Sequence, residues 1–434
     1  DSNYNVGIGN YSMDAAMNAA ENNTAVGYAA LGALTEGDQN VAIGRNAGLL
    51  LTTGENNVLV GDGSGATLAA AMSNNVLVGR NAGTAIEHAD ANGTVAIGHV
   101  ALTALTSGAG NTAVGYQSLD ALTGSGQNTA LGYGTLGALV DGDQNTAVGY
   151  NAMTSGTHTS FNFNTVVGAN AGDAFTSVAI EHVTGVGANC LGGALTDGAN
   201  GAVAVGSSAL GALTSGGRNT AIGFETLSTL TQASHNIAIG YNALKDSSGT
   251  TSHRNICIGS YTMDGVGSNI AADNICLGYD TGTAITTGDN NVIIGSYAGD
   301  AMTSAESNVI IGFETGTSLT IGRYNTAVGY KALNTDDVGD RSTALGFQSL
   351  YSQNSDSDNE MTQNVGLGMY SGYHNVTGKE NTWVGYGAGL GASGQSNSNN
   401  TGVGDRVMLD VTTGGSNSAL GGKAGTNISG GNNN

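Results

Sequence analysis

One five-residue pattern of Asn, β-branched, small, aliphatic and Gly positions recurs along the whole chain. It reads Asn23-Thr24-Ala25-Val26-Gly27 near the start and Asn145-Thr146-Ala147-Val148-Gly149 later. There are 24 copies, whose closing glycines run from Gly9 to Gly421; 13 of the 23 intervals are 17 residues, two are 18, seven are 19 and one is 22. Such a period is typical of a solenoid with one coil per copy. We expect residues 1–434 to form a single continuous array, a fibre shaft with no separate catalytic or anchor domain.

Each position of the core predicts a structural role. The fourth is Val, Ile or Leu in all 24 copies, and the second is Val, Ile or Thr in 23. Residues two apart in a strand point to the same face, so we expect these two positions to line the interior in columns. The closing Gly predicts a bend or a positive φ. The opening Asn, present in 20 copies, predicts a ladder that hydrogen-bonds its own turn and the neighbouring coils.

The remainder of each copy often follows an aromatic-x-Ala-Leu-x-x-Leu-Thr-x-Gly pattern, as in 28–37. Leucines three apart, such as Leu31 and Leu34, fit either one helical turn or a second strand with a bulge. We therefore predict an all-β fold. It is a parallel β-solenoid, or β-roll, of about 24 coils of 17–19 residues, with room for one short helical turn per coil.

The third core position is then expected to face away from the interior. It is Ala, Gly or Cys in 18 copies, and the larger exceptions are Leu59, Leu77, Val166, Ile293, Ile310 and Trp383. An outward position facing water should be polar. A column of small residues instead favours close packing against another copy of the chain, so we expect a symmetric homo-oligomer of intertwined or packed chains with strands near a shared axis. The alternative is a lone solenoid whose outer face tolerates Ala.

The composition of the chain argues against nucleic acid and membrane as partners. The chain has 73 Gly, no Pro, 33 acidic and 11 basic residues, and a formal charge of -22. We expect no nucleic-acid partner, because phosphate requires clustered Lys and Arg. No run of 18 apolar residues occurs, so we expect no membrane insertion. The first residues carry neither an initiator Met nor a signal peptide, which is expected of a processed chain or a segment of a longer one.

Histidines and acidic residues do not form a recognisable catalytic or metal-binding motif. The seven histidines are scattered: His88, His99, His158, His182, His235, His253 and His374. The pairs Glu87-His88 and Glu181-His182 lie in predicted loops without a second ligand group at useful spacing. No Ser-His-Asp or paired-carboxylate constellation stands out. We therefore assign no catalytic, cofactor-binding or metal residues, expect no cofactor, and interpret the chain as non-enzymatic.

Three further features leave alternatives open. Cys257 and Cys276 occupy the same position in consecutive coils, within disulfide reach, although free buried thiols are favoured over a bond. Acidic turns such as 36–40, 141–145 and 336–340 could bind calcium, although a solvated edge is the default. A stacked stripe of aromatic residues could bind sugars or close the coil as a packing column. The stripe comprises Tyr28, Tyr116, Tyr133, Tyr150, Phe224, Tyr241, Tyr279, Phe313, Tyr330, Phe347 and Tyr386.

The repeats resemble those of known attachment proteins. Runs such as Asn111 to Leu119 and Asn325 to Leu333, with their Asn-Thr-Ala-Val-Gly-Tyr core, look like repeats of bacteriophage tail-fibre proteins. They are also similar to the head repeats of trimeric autotransporter adhesins. The resemblance covers essentially the whole chain, and it implies a homotrimer of left-handed β-rolls that attaches to cell surfaces. The longer coil with its Ala-Leu-x-x-Leu segment departs from the adhesin pattern.

These observations favour a structural fibre on a virus particle, a phage tail or capsid fibre used in host attachment. The expected location is the virion or an extracellular surface. The expected partners are further copies of the chain, with a host-surface glycan or protein as a candidate receptor. A bacterial surface adhesin or extracellular filament is the alternative. An ice-binding solenoid is less favoured, because the second core position mixes Thr with Val and Ile instead of forming a regular Thr face.

Overall fold

The computed structural model of the chain describes residues 2–155, 161–176, 179–247, 252–265, 270–428 and 430–433. The chain divides into two compact units, Asp1–Arg218 and Asn219–Asn434. Each unit is a parallel β-solenoid built on the same coil, which confirms the predicted fold class. Whether both units belong to one uninterrupted array stays a prediction.

The described part of the first unit contains twelve three-residue strands and two short 3-10 helices. The strands are β1 Val6–Ile8, β2 Thr24–Val26, β3 Val41–Ile43, β4 Val58–Val60, β5 Val76–Val78, β6 Val95–Ile97, β7 Thr112–Val114, β8 Thr129–Leu131, β9 Thr146–Val148, β10 Thr165–Val167, β11 Thr184–Val186 and β12 Val203–Val205. The helices are Ala89–Ala91 and Asp197–Ala199. Within the unit, each strand pairs in parallel with the next one along the chain, from β1 to β12.

The described part of the second unit contains the other twelve strands. They are β13 Thr220–Ile222, β14 Ile237–Ile239, β15 Ile256–Ile258, β16 Ile275–Leu277, β17 Val292–Ile294, β18 Val309–Ile311, β19 Thr326–Val328, β20 Thr343–Leu345, β21 Val365–Leu367, β22 Thr382–Val384, β23 Thr401–Val403 and β24 Ser418–Leu420. They too pair in parallel with their sequence neighbours. Equivalent core positions are always opposite each other, so each position forms a column.

The predicted direction of the strand side chains is wrong. In β2 the middle residue Ala25 is fully buried, whereas Thr24 and Val26 are only half-buried. The middle residue of nearly every other strand is buried in the same way, including Leu59 and Trp383, which were expected outside. The small third position therefore faces the interior, and the branched second and fourth positions face outward.

The interior explains why the third position is usually small. Where it is Ala or Gly, the residue six positions later is usually an inward Leu or Met, as for Ala113 and Leu119. Where it is larger, that later residue is Gly in seven of eight coils, Cys257 with Met263 being the exception: the seven pairs are Leu59/Gly65, Leu77/Gly83, Val166/Gly172, Cys276/Gly282, Ile293/Gly299, Ile310/Gly316 and Trp383/Gly389. A Cβ built on Gly83 would lie 2.9 Å from Leu77 Cδ1, so the two positions share one volume.

The closing glycines and opening asparagines behave as predicted. Gly61 has φ +134°, and a Cβ there would lie 2.5 Å from the carbonyl oxygen of Gly79 in the next coil. Only Gly fits such a column. Buried Asn40 donates from its backbone N and its Nδ2 to Asn23 Oδ1, and from Nδ2 to the carbonyl of Gly54. The asparagine ladder is thereby confirmed in its predicted role.

The Ala-Leu-x-x-Leu segment forms neither a helical turn nor a second strand in the described coils. Its backbone alternates into the left-handed region, with φ +54° at Ala29 and +49° at Leu31. Leu31 N donates to the carbonyl of Ala47 in the next coil, and Leu34 N closes a turn onto Leu31 O. These coil-to-coil bonds satisfy the backbone while both leucines remain buried.

Candidate binding surfaces

The outward strand face is an uncharged and largely apolar surface on both units. In the 24 described strands the 48 outward positions carry Val, Ile, Leu, Thr or one Ser, and none is charged. We call these positions the strand face. Several of its residues are strongly exposed, among them Ile43, Leu131 and Ile258. A contiguous exposed apolar face of this kind usually marks an interaction site.

The acidic turns are structural as well as solvated. Asp38 Oδ1 accepts a hydrogen bond from Glu21 N at 2.7 Å, and Asp143 Oδ1 accepts one from Gly126 N at 2.7 Å. Asp340 Oδ1 accepts one from Arg323 N in the same manner. Each carboxylate therefore caps a backbone amide of the preceding coil. Within the described residues, no three His, Cys, Asp or Glu side chains converge to hold a metal ion.

The predicted aromatic stripe lies on the surface, beside the strand face. Its members are each 38–55% exposed. In the first unit Tyr116 and Tyr133 stack with centroids 5.0 Å apart and an interplanar angle of 13°, and Tyr150 continues the stack. Because each stacked ring covers the face of the next, these residues offer mainly edges and hydroxyls to a ligand.

Three other tyrosines, all in the second unit, have rings that are steeply inclined to the neighbouring rings of the stripe. Tyr261, Tyr297 and Tyr370 make angles of 67–87° with the neighbouring rings of the stripe. All three follow the stripe position by one residue and have a positive φ. These three tyrosines are not members of the stripe predicted from the sequence. Their spacing to the closing Gly was visible in the sequence, whereas their ring orientation was not.

The described histidines do not assemble into a site. His88 Nδ1 lies 3.0 Å from Asp90 Oδ2 on an exposed turn, and His182 stacks on Phe163. His99 stacks on Tyr116, and His253 Nδ1 accepts a hydrogen bond from Ser234 N. His374 is half-buried, and burial lowers the pKa of its imidazole. Glu87 and His88 each donate their backbone N to Thr106 O. His158 lies outside the described residues.

All three cysteines are free and buried, which confirms the favoured interpretation of Cys257 and Cys276. The two residues are opposite each other in β15 and β16, and both point inward. Cys257 Sγ also lies 3.4 Å from Met263 Sδ. Burial raises the pKa of Cys257 well above its usual value and that of Cys190 to about 11. Thiols in this state are poor nucleophiles and act as small packing residues.

The described residues contain no helix that is both long and apolar enough to cross a membrane. Comparison of the chain with models of protein families, with curated proteins and with solved structures gives no significant match.

Proposed function

We propose that the chain is a segment of a homotrimeric structural fibre, whose subunits pack through the strand face and which serves in attachment to a cell surface. The observation that carries this proposal is the uncharged strand face. A chain of net charge -22 places no charged residue at any of these 48 positions. Branched apolar side chains exposed in continuous columns are costly in water and favourable between subunits.

The occupant of the strand face is a second and third copy of this chain. Strongly acidic chains repel each other except where their contact surfaces lack charge. The strand face meets that condition, while the carboxylates are concentrated in the turns and other surfaces. Copies with the same coil also repeat their columns at the same spacing of about 4.8 Å, so matching columns can pack along an entire unit. The Ala column faces the interior of the coil, so it is the branched second and fourth positions that are available to a partner chain.

The resemblance of the repeats to bacteriophage tail fibres supports a phage tail or capsid fibre on the virion as the setting. A bacterial surface adhesin or extracellular filament would use the same strand face. An ice-binding solenoid is the competitor from another class, because a flat face of Thr and Val could order water instead of a subunit. The run Thr112, Thr129, Thr146, Thr165 and Thr184 in the second position is the feature that favours it.

Light scattering on the intact chain tests the proposal. A homotrimer has three times the chain mass of 42.9 kDa, about 129 kDa. A mass of 42.9 kDa at micromolar concentration would contradict the proposal. A thermal hysteresis assay on the same sample would then show whether the exposed Thr and Val columns bind ice.

A further inference from the structure

A groove on the second unit combines an accessible aromatic ring with polar groups. It is lined by Tyr297, Asp300, Glu314 and Thr317 and has a volume of about 310 Å³. Its residues follow the closing glycines of β17 and β18 and do not belong to the strand face. The volume is at the small end of the range for small-molecule sites, which begins at about 300 Å³.

The ring of Tyr297 differs in orientation from the stacked stripe. Phe313 is nearly parallel to Tyr330, at 7°, so its plane lies across the column. Tyr297 stands at 85° to Phe313 and at 76° to Tyr279, so its plane runs along the column. With 38% of its surface exposed, Tyr297 can present a ring face to a ligand, which the stacked tyrosines cannot.

The groove is also lined by a half-buried carboxyl group, that of Asp300. Asp300 Oδ1 is buried and accepts no hydrogen bond from the described residues. Burial also raises the pKa of the Asp300 carboxyl. Because Oδ1 is closed off from solvent, a ligand in the groove would bond the Asp300 carboxyl at its other oxygen, Oδ2.

The other carboxylate that lines the groove, that of Glu314, is paired with a lysine. Glu314 Oε2 lies 2.9 Å from Lys331 Nζ, so the rim of the groove has an ammonium donor beside a carboxylate acceptor. Thr317 Oγ1 is already bonded to Asn334. A ligand with hydroxyl groups can donate to Asp300 and accept from Lys331. An organic cation could only donate, and it would compete with Lys331 for Glu314.

We propose that this groove binds a neutral sugar ring, which lies against the face of Tyr297 and donates a hydrogen bond from a hydroxyl group to the carboxyl group of Asp300. The inference rests on the proposed attachment function and names the class of receptor: an uncharged pyranose of a cell-surface glycan. The stacked stripe, by contrast, is assigned no ligand.

The test uses the full chain on an array of neutral oligosaccharides, followed by calorimetry with the tightest-binding glycan. Tyr297→Ala should weaken binding about tenfold, because it removes the aromatic platform. Asp300→Ala should weaken it as well, whereas Tyr297→Phe should bind like the wild type. Tyr133→Ala is the matched control: it removes an exposed tyrosine from the stacked stripe and should leave binding unchanged.

Three outcomes would overturn the proposal: no neutral glycan binds, Tyr297→Ala binds as tightly as the wild type, or choline chloride binds at the groove in place of any glycan. The solution mass of each variant must equal that of the wild type, which excludes misfolding as the cause of lost binding. A trimeric mass without glycan binding overturns only the sugar site. A monomeric mass with glycan binding overturns only the fibre.

Discussion

At the scale of single residues, a large side chain at one of two interior positions is paired with a small one at the other in 20 of the 24 coils. The third strand residue and the residue six positions later fill one space, with Ala113 beside Leu119 in one coil and Leu77 beside Gly83 in another. Interiors are packed too densely to accept two large residues, and a small pair leaves a cavity. The identity of one position therefore restricts the other.

This relation predicts the outcome of a double-mutant cycle. Ala113→Leu should cost about 1–3 kcal/mol of unfolding free energy by overpacking, and Leu119→Gly about 2–5 kcal/mol by opening a cavity. The double variant recreates the Leu/Gly pairing and should recover most of the lost stability. Gly is also favoured at position 119 because Leu119 has φ +52°, a backbone conformation that Gly adopts easily. Guanidinium midpoints measure all four proteins. Additive costs in the double variant would mean that the two residues do not share a volume.

Sequence reasoning located each strand but assigned its faces wrongly. The alternation of Thr24, Ala25 and Val26 identifies two faces without saying which one is inside, and the larger branched residues were assigned to the interior. The information needed was present: Leu77 with Gly83 and Trp383 with Gly389 indicate an inward third position. The left-handed φ of Leu31 could not be predicted, because it depends on hydrogen bonds to the next coil.

At the scale of the coil, buried polar groups join neighbouring copies. Asn291 Nδ2 donates to Asn274 Oδ1 and to Ala305 O, and its own Oδ1 accepts from Asn308 N and Nδ2. Every one of these contacts is buried. A side chain that satisfies three coils at once is expected to tolerate substitution poorly.

Asn291→Ala should therefore lower the unfolding free energy by several kcal/mol, because each buried group left unpaired costs about 1–3 kcal/mol. Hydrogen exchange should accelerate most at the amide of Asn308, which loses its acceptor. Asn354→Ala, on an exposed turn, is the matched control and should change stability by less than about 0.5 kcal/mol. Equal effects at both sites would show that the ladder does not stabilise the coil.

The longest coil and the coil before it share a polar network that replaces part of their apolar interior. Asp336 is fully buried, and its carboxyl accepts from Gln353 Nε2, Ser355 Oγ and Gly339 N. Burial raises the pKa of Asp336 above its ordinary value, although these hydrogen bonds partly oppose the shift. A carboxyl with a raised folded-state pKa stabilises the fold at low pH, and this stabilisation is lost as the pH rises through the folded-state pKa.

The wild type should accordingly lose stability, relative to Asp336→Asn, as the pH rises from about 4 to neutrality. Comparing the two proteins separates the contribution of Asp336 to the pH dependence of stability from that of Glu360. The pKa of Glu360 is lowered: burial raises it, but hydrogen bonds from Lys379 and backbone amides outweigh burial, so its contribution has the opposite sign. Guanidinium midpoints at several pH values measure the difference. If the difference in stability between the two proteins does not change with pH, the pKa of Asp336 in the folded protein is not raised.

At the scale of the whole molecule, the chain separates charge from apolar surface. Carboxylates such as Asp38 and Asp143 cap backbone amides in the turns, and the strand face of both units contains no charge. The sequence predicted a self-associating surface on the strands, although it named the wrong column. The Tyr297 groove could not be predicted, because it depends on the angle between the ring of Tyr297 and the neighbouring rings.

The most direct test of the account is the solution mass of two variants with equal charge changes. One carries Val114→Glu, Val148→Glu, Ile294→Glu and Val328→Glu on the strand face. Its control carries Ala109→Glu, Gln127→Glu, Asn354→Glu and Ser357→Glu at exposed turn positions. Unpaired carboxylates buried between subunits cost several kcal/mol each. We predict a monomer of about 43 kDa for the first and a trimer of about 129 kDa for the control. The same mass for both variants would contradict the account, because the strand face would then not be the surface that joins the subunits.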